Sequence, residues 1–328
     1  MYVKRYYSLW MTVRWSRKAL LYGLLYSAVV VAFYVLTHIP IALPWQPISV
    51  IGIAVAFFVG FKNNSSYDRT WEARKIWGKI INDSRTFATA ILTMPSESVN
   101  TEWKKTTIHR HLAWLLALKH NMRKAKTWEH NGPVEKLVFT PKFRQECING
   151  MEPEVTPYLS DEEFTRLKKY SNIPSQILKN QSIEIERLFK TGQLTEYKHV
   201  WLHQLIGNLY DLQGMTERIK NFPFPRQYAS TGLWITYIFC SLIPFGLLDI
   251  FEQSHSLHYW LTIPFSGVVI WVYFVVDRIG DYSENPFEAA YNDVPISSIA
   301  RAIEIDLREM LDEENIPAPY PVENGFLL

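Results

Sequence analysis

GIAVAFFVGFKNNSSYDRTWEARKIWG, from Gly52 to Gly78, is the stretch that decides how this chain folds. Its first ten residues carry no charge, and Lys62, Asn63, Asn64, Asp68, Arg69 and Glu72 then follow in quick succession. No proline interrupts the change, so the pattern predicts one helix with an oily beginning and a polar continuation. The apolar part, about Ile48 to Phe61, is short for a bilayer on its own. The polar continuation must then be buried by protein or line water.

Working outward, the segment ALLYGLLYSAVVVAFYVLTHIPIAL (Ala19–Leu43) is uncharged and long enough to span a membrane. It is also too long for the core of a cleaved signal peptide, and no small-residue cleavage site follows it cleanly. PWQP joins it to the second span. Further along, Ser230–Phe251 and Leu257–Val276 are apolar enough to be a third and fourth span, with Pro244 and Pro264 inside them. Expected spans are therefore 19–43, 48–61, 230–251 and 257–276. Arg14, Arg17, Lys18, Lys62, Arg226 and Arg278 flank one side of these spans, and the connections PWQP and DIFEQSHS carry no Lys or Arg. The positive-inside rule then predicts cytoplasmic termini and cytoplasmic 62–226 and 278–328. Helical periodicity continues through YDRTWEARKIWGKIINDSRTFATAIL and, as two further helices, through Ser182–Lys220. The stretch from His130 to Phe164 reads as loop-rich, and the tail ENIPAPYPVENGFLL as extended.

Composition agrees with a membrane protein. The chain has 328 residues, a net charge of +2 and 15% aromatic residues; Trp and Tyr concentrate at membrane interfaces. Near-neutral charge gives no footprint for nucleic acid. Cys147 and Cys240 are the only cysteines, too few for a disulfide framework or a zinc site. A mean hydropathy near zero averages two apolar blocks with a polar middle.

No phosphate loop, HExxH or CxxC motif occurs, and no catalytic set is expected. His199 and His203 lie one helical turn apart, but two nitrogens without a carboxylate or a second pair are a weak metal signal, and a structural or surface role is expected. Asp68, Glu72 and Asp83 lie among Arg69, Arg74 and Arg85, which favours ion pairing over acid–base chemistry.

Three stretches resemble the bestrophin family in its bacterial branch: GFKNNSSYDRTWEARKIWG, TERIKNFPFPRQY before the third span, and ENPFEAAYNDVP after the fourth. They occur in the family's order, so the resemblance covers essentially the whole chain as one domain, 1–328. It implies an all-α integral membrane protein, a homopentamer around one axial pore, in the plasma (inner) membrane. Partners would be further copies of the chain, membrane lipid and small inorganic ions, with no nucleic acid. The family's hydrophobic neck falls on Ile53, Phe57 and Phe61, whose steps of four share a helical face. Its cytoplasmic aperture falls on Phe222, with Ile219 as the second placement, and the pore mouth on Lys62, Asn63 and Asn64. Chloride and similar anions are the expected permeant ions. A monovalent-cation channel of the same architecture is the alternative, and a membrane-anchored scaffold a more distant one. Animal members clasp calcium with an acidic cluster after the fourth span. Here only Asn285, Asn292, Asp293 and scattered acids stand there, a poor match to calcium's need for several carboxylates, so no metal or cofactor is expected.

Overall fold

The computed structural model of the chain describes residues 1–130, 150–254, 258–290, 292–323 and 325–327. In chain order its helices are α1 (Leu9–Thr37), α2 (Trp45–Thr93), α3 (Thr101–Arg123), the short α4 (Glu152–Val155), α5 (Asp161–Leu167), α6 (Ile173–Lys190), α7 (Glu196–Asn221), α8 (Arg226–Ser254), α9 (Thr262–Ser283) and α10 (Ile296–Glu309). Among the described residues, β structure is confined to isolated bridges near the termini. The all-α expectation therefore holds, and four stretches are long and apolar enough to cross a membrane.

By internal contacts the chain forms two compact units. One comprises Lys4–Arg69 and Pro223–Glu284, the other Met1–Val3, Thr70–Phe222 and Asn285–Leu328. The first, the span unit, holds α1, the beginning of α2, α8 and α9. Its core is Ile48, Val55 and Val59 of α2 against Phe239, Cys240, Ile243 and Ile270. Close approach of α1 to α9 depends on missing side chains. A Cβ on Gly267 would stand 2.5 Å from Leu24 Cδ2, and one on Gly23 would stand 3.3 Å from the Gly267 Cα. Small residues at such crossings let helices gain van der Waals contact where lipid removes the hydrophobic drive. Trp271 Nε1 donates to Ser16 Oγ across the same pair at 2.7 Å.

Span boundaries differ from the sequence expectation. α1 starts at Leu9, where Ser8 Oγ accepts from the Met11 N–H, and stops at Thr37, where His38 takes the left-handed region at φ 53°. Hydropathy alone ran the span on to Leu43, because the apolar residues after His38 continue as non-helical chain. Pro244 does lie within α8. Pro264 sits in the first turn of α9, where helix N–H groups have no intrahelical partner and proline is tolerated. The expected start of the fourth span at 257 lies outside the described residues, as does most of the loop-rich stretch, Cys147 included.

The second unit is built around α3, whose residues from Ile108 to Leu118 are almost all buried. Several of the buried polar side chains there find partners. Arg110 donates to both Glu163 oxygens, Trp114 Nε1 donates to Gln213 at 3.0 Å, and His111 Nε2 meets Ser84 Oγ at 2.9 Å. Burial pushes His111 down to about 3, so its ring is neutral at physiological pH. The predicted helices in 182–220 are α6 and α7, separated by a turn at Gly192 (φ 74°). The described part of the tail is extended, and it is held by its own chain: Tyr2 bridges Phe326, whose ring is buried.

Candidate pore-lining face

Helix α2 runs unbroken for 49 residues, about 70 Å at 1.5 Å per residue. Within the span unit its two sides differ sharply. Ile48, Gly52, Val55, Val59, Lys62 and Ser66 are buried, whereas Val50, Ile53, Phe57, Gly60, Phe61, Asn64 and Asp68 are exposed. Steps of three and four keep each set on its own side. The three expected neck residues are exposed by 71% (Ile53), 72% (Phe57) and 62% (Phe61). The rings of Phe57 and Phe61 follow one another at 6.3 Å between centroids. An apolar stripe therefore leads directly into exposed Asn64 and Asp68. Phe58, one residue round the helix, is partly covered and stacks on Tyr228 at 6.3 Å. The small residues flanking the stripe divide in role. Ala54 and Ala56 are exposed, while Gly52 is pressed on α8, where a Cβ would stand 2.7 Å from the Phe239 ring.

The three expected mouth residues are not brought together on that face. Asn64 is exposed there. Lys62 is not: it is buried and donates to Asp277 Oδ1 of α9 at 3.0 Å, with Asp281 at 3.7 Å. Asn63 also faces α9, donating to the Val276 carbonyl at 3.0 Å, and its side chain occupies the space beside Gly280. Steric order explains the correction, because 62 lies about opposite 53 on a helix with 3.6 residues per turn. Asp277 and Asp281 are the residues that sequence reasoning passed over. Their signal was legible: acids one turn apart at the end of an apolar helix call for a partner. The arginine after the mouth is likewise engaged, Arg69 Nε donating to the Glu284 carbonyl at 2.9 Å, while the Glu284 carboxylate takes Arg226 at 2.9 Å. Glu72 pairs with Arg218 and Arg85 with Asp306, so these two α2 residues pair with other elements instead of along their own helix.

At the expected aperture, Phe222 closes α7 in extended conformation and is 68% exposed. Ile219 is buried in the core of the second unit. An isoleucine already enclosed by its own subunit has no surface to offer an aperture, so the second placement is corrected and Phe222 alone remains.

The segment after α9 encloses three acids, Glu284, Glu288 and Asp293. Burial, partly offset by Arg123, pushes the Asp293 carboxyl up to about 6, and Arg123 Nη1 lies 3.8 Å from it.

Residues 13–309 match the family model described as "Bacterial/Fungal Bestrophin protein". The "Voltage-dependent anion channel-forming protein YneE" of Escherichia coli O157:H7 is 30% identical over 318 residues, 95% of this chain and 92% of that protein. The "Voltage-dependent anion channel-forming protein RSc3414" of Ralstonia nicotianae is 27% identical over 89% of this chain and 87% of its own. Among solved structures, a bacterial bestrophin homolog from Klebsiella pneumoniae superimposes with a TM-score of 0.75 at 24% identity, covering 90% of this chain and 98% of that one. A variant of the Klebsiella protein gives 0.74 at 25% identity, with the same coverages of 90% and 98%.

Proposed function

Because the chain belongs to the bacterial and fungal bestrophin family, we propose that copies of it form a pentameric ion channel in the inner membrane that conducts chloride and other small monovalent anions. The observation that carries this reading is the exposed stripe Ile53–Phe57–Phe61 on a helix whose opposite side is fully packed. One such stripe from each subunit makes a ring of isoleucines and two rings of phenylalanines. A constriction of this kind resists wetting and passes only ions that shed water. Phenylalanine edges are electropositive, and rings turned edge-on would compensate a dehydrating anion. The names of the relatives, anion channel-forming proteins, support the sign of the ion. Exposed Asn64 offers its amide to the ion beyond the neck, and Phe222 supplies the second constriction. The chain acts as one functional domain, with the spans in lipid and the second unit in the cytoplasm.

A specific observation favours the opposite sign as a second reading. Lys62 is neutralised by Asp277 and Asp281, so the exposed charge nearest the neck on α2 is Asp68, which attracts cations. Purified protein in planar bilayers under a potassium chloride gradient separates the two. A reversal potential displaced toward the chloride equilibrium value is expected; displacement toward potassium's overturns the anion reading, and absence of current overturns the channel.

Orientation has its own test. In a background lacking both native cysteines, a cysteine replacing exposed Gln46 is expected to react with an impermeant maleimide added outside intact cells. One replacing exposed Ser98 is expected to stay unlabelled. Efficient labelling at 98 reverses the assignment made from flanking charge.

A further inference from the structure

The hairpin of α6 and α7 assembles a ligand set that neither helix contains alone. His199 lies in the first turn of α7, and His203 one turn further on. The turn after α6 is closed by the Gly192 N–H to the Phe189 carbonyl and the Gln193 N–H to the Leu188 carbonyl, and it folds Glu186 back toward them. One ligand atom from each of Glu186, His199 and His203 lies within 4.8 Å of the others. We propose that these three residues form a binding site for a first-row divalent metal of the zinc class.

Three features of the geometry carry this. His199 Nε2 stands 2.9 Å from Glu186 Oε2, yet this buried nitrogen has no hydrogen-bond partner. The two atoms are close without the alignment that an N–H···O bond needs, which is the disposition of two donors facing a shared point. The His199 ring is held in place by Phe189, stacked at 4.3 Å and 16°, with His203 edge-on to it at 4.6 Å. The other Glu186 oxygen is occupied by Lys190 at 3.1 Å, an outer contact of the kind that fixes a metal-bound carboxylate. Zinc bonds of about 2.0–2.2 Å place tetrahedral ligand atoms about 3.4 Å apart, so small side-chain rotations close the set. Two imidazoles and one carboxylate suit zinc, cobalt or nickel, whereas calcium and magnesium prefer oxygen alone. A bound ion would tie the end of α6 to the start of α7 and leave a fourth position for water.

The test does not depend on what the channel conducts. Full-length, tag-free protein in detergent is stripped with chelator and titrated with zinc against a chromophoric competitor, and separately with cobalt(II), read by its visible absorption. One saturable zinc per subunit is expected, with a cobalt spectrum of nitrogen-ligated type. His203→Gln and Glu186→Gln should each weaken zinc by at least about tenfold and remove the cobalt band, while His120→Gln on α3 should bind as the parent does. Glu186 is the more exposed of the pair, so its variant carries the test if the histidine change disturbs folding, which circular dichroism and elution volume report. No saturable zinc, or equal affinity in Glu186→Gln and the parent, overturns the proposal.

Discussion

Phe57→Ala is expected to raise conductance or open probability several-fold, with assembly intact. In a subunit Phe57 is 72% exposed, so truncation removes little packing from its own fold. In a ring the deletion is repeated by every subunit at one level of the pore. The passage widens, water enters, and the dehydration barrier falls. Single-channel recording beside size analysis of the detergent-solubilised complex reads both quantities. If this face were packed in a core, each Phe→Ala change would cost about 3–5 kcal/mol, and the complex would be lost without a gain in current. If it faced lipid, conductance would not change. Either result sinks the pore assignment. Phe58→Ala is the companion variant: its ring stacks on Tyr228 within the subunit, so it should affect stability before conductance.

Asp277→Ala is expected to be the most destabilising single change near the neck. Lys62 and Asp277 are 3.0 Å apart with side chains only 7% and 6% exposed. Removing the acid strands a buried ammonium, a loss of about 3–5 kcal/mol for enclosed pairs. Asp281 at 3.7 Å remains as a second acceptor, which places the expectation near the lower figure, about 3 kcal/mol. The double change Lys62→Met with Asp277→Leu should recover much of this, because removing both charges leaves nothing uncompensated. Thermal unfolding in one detergent, compared across the single and double variants, checks it. An Asp277→Ala protein that melts with the parent would show that the pair contributes nothing, and a double variant no better than the single would locate the loss in packing.

The residues that sequence reasoning passed over share one property: their partners come from other helices. Asp277 meets Lys62 across 215 positions, and Glu186 reaches His199 only because the turn at Gly192 folds one helix on the next. Lys62, placed from sequence at the pore mouth, is half of an enclosed pair. Ile219 and Phe222, read as alternatives, were separated by burial alone, one in a core and one in the open.

By itself the sequence determined four apolar spans, an unbroken α2 and the stripe Ile53–Phe57–Phe61. These are properties of neighbouring residues: lipid demands continuous apolar length with every backbone group bonded within the helix, and a 3.6-residue turn assigns each position to a side. Tertiary structure decided which side of α2 was covered, where α1 stopped, and which charges were spent on one another. Those outcomes depend on elements remote in sequence, on glycine-permitted contacts such as Gly23 against Gly267, and on the cost of leaving a buried charge unpaired. None of these leaves a periodic mark along the chain.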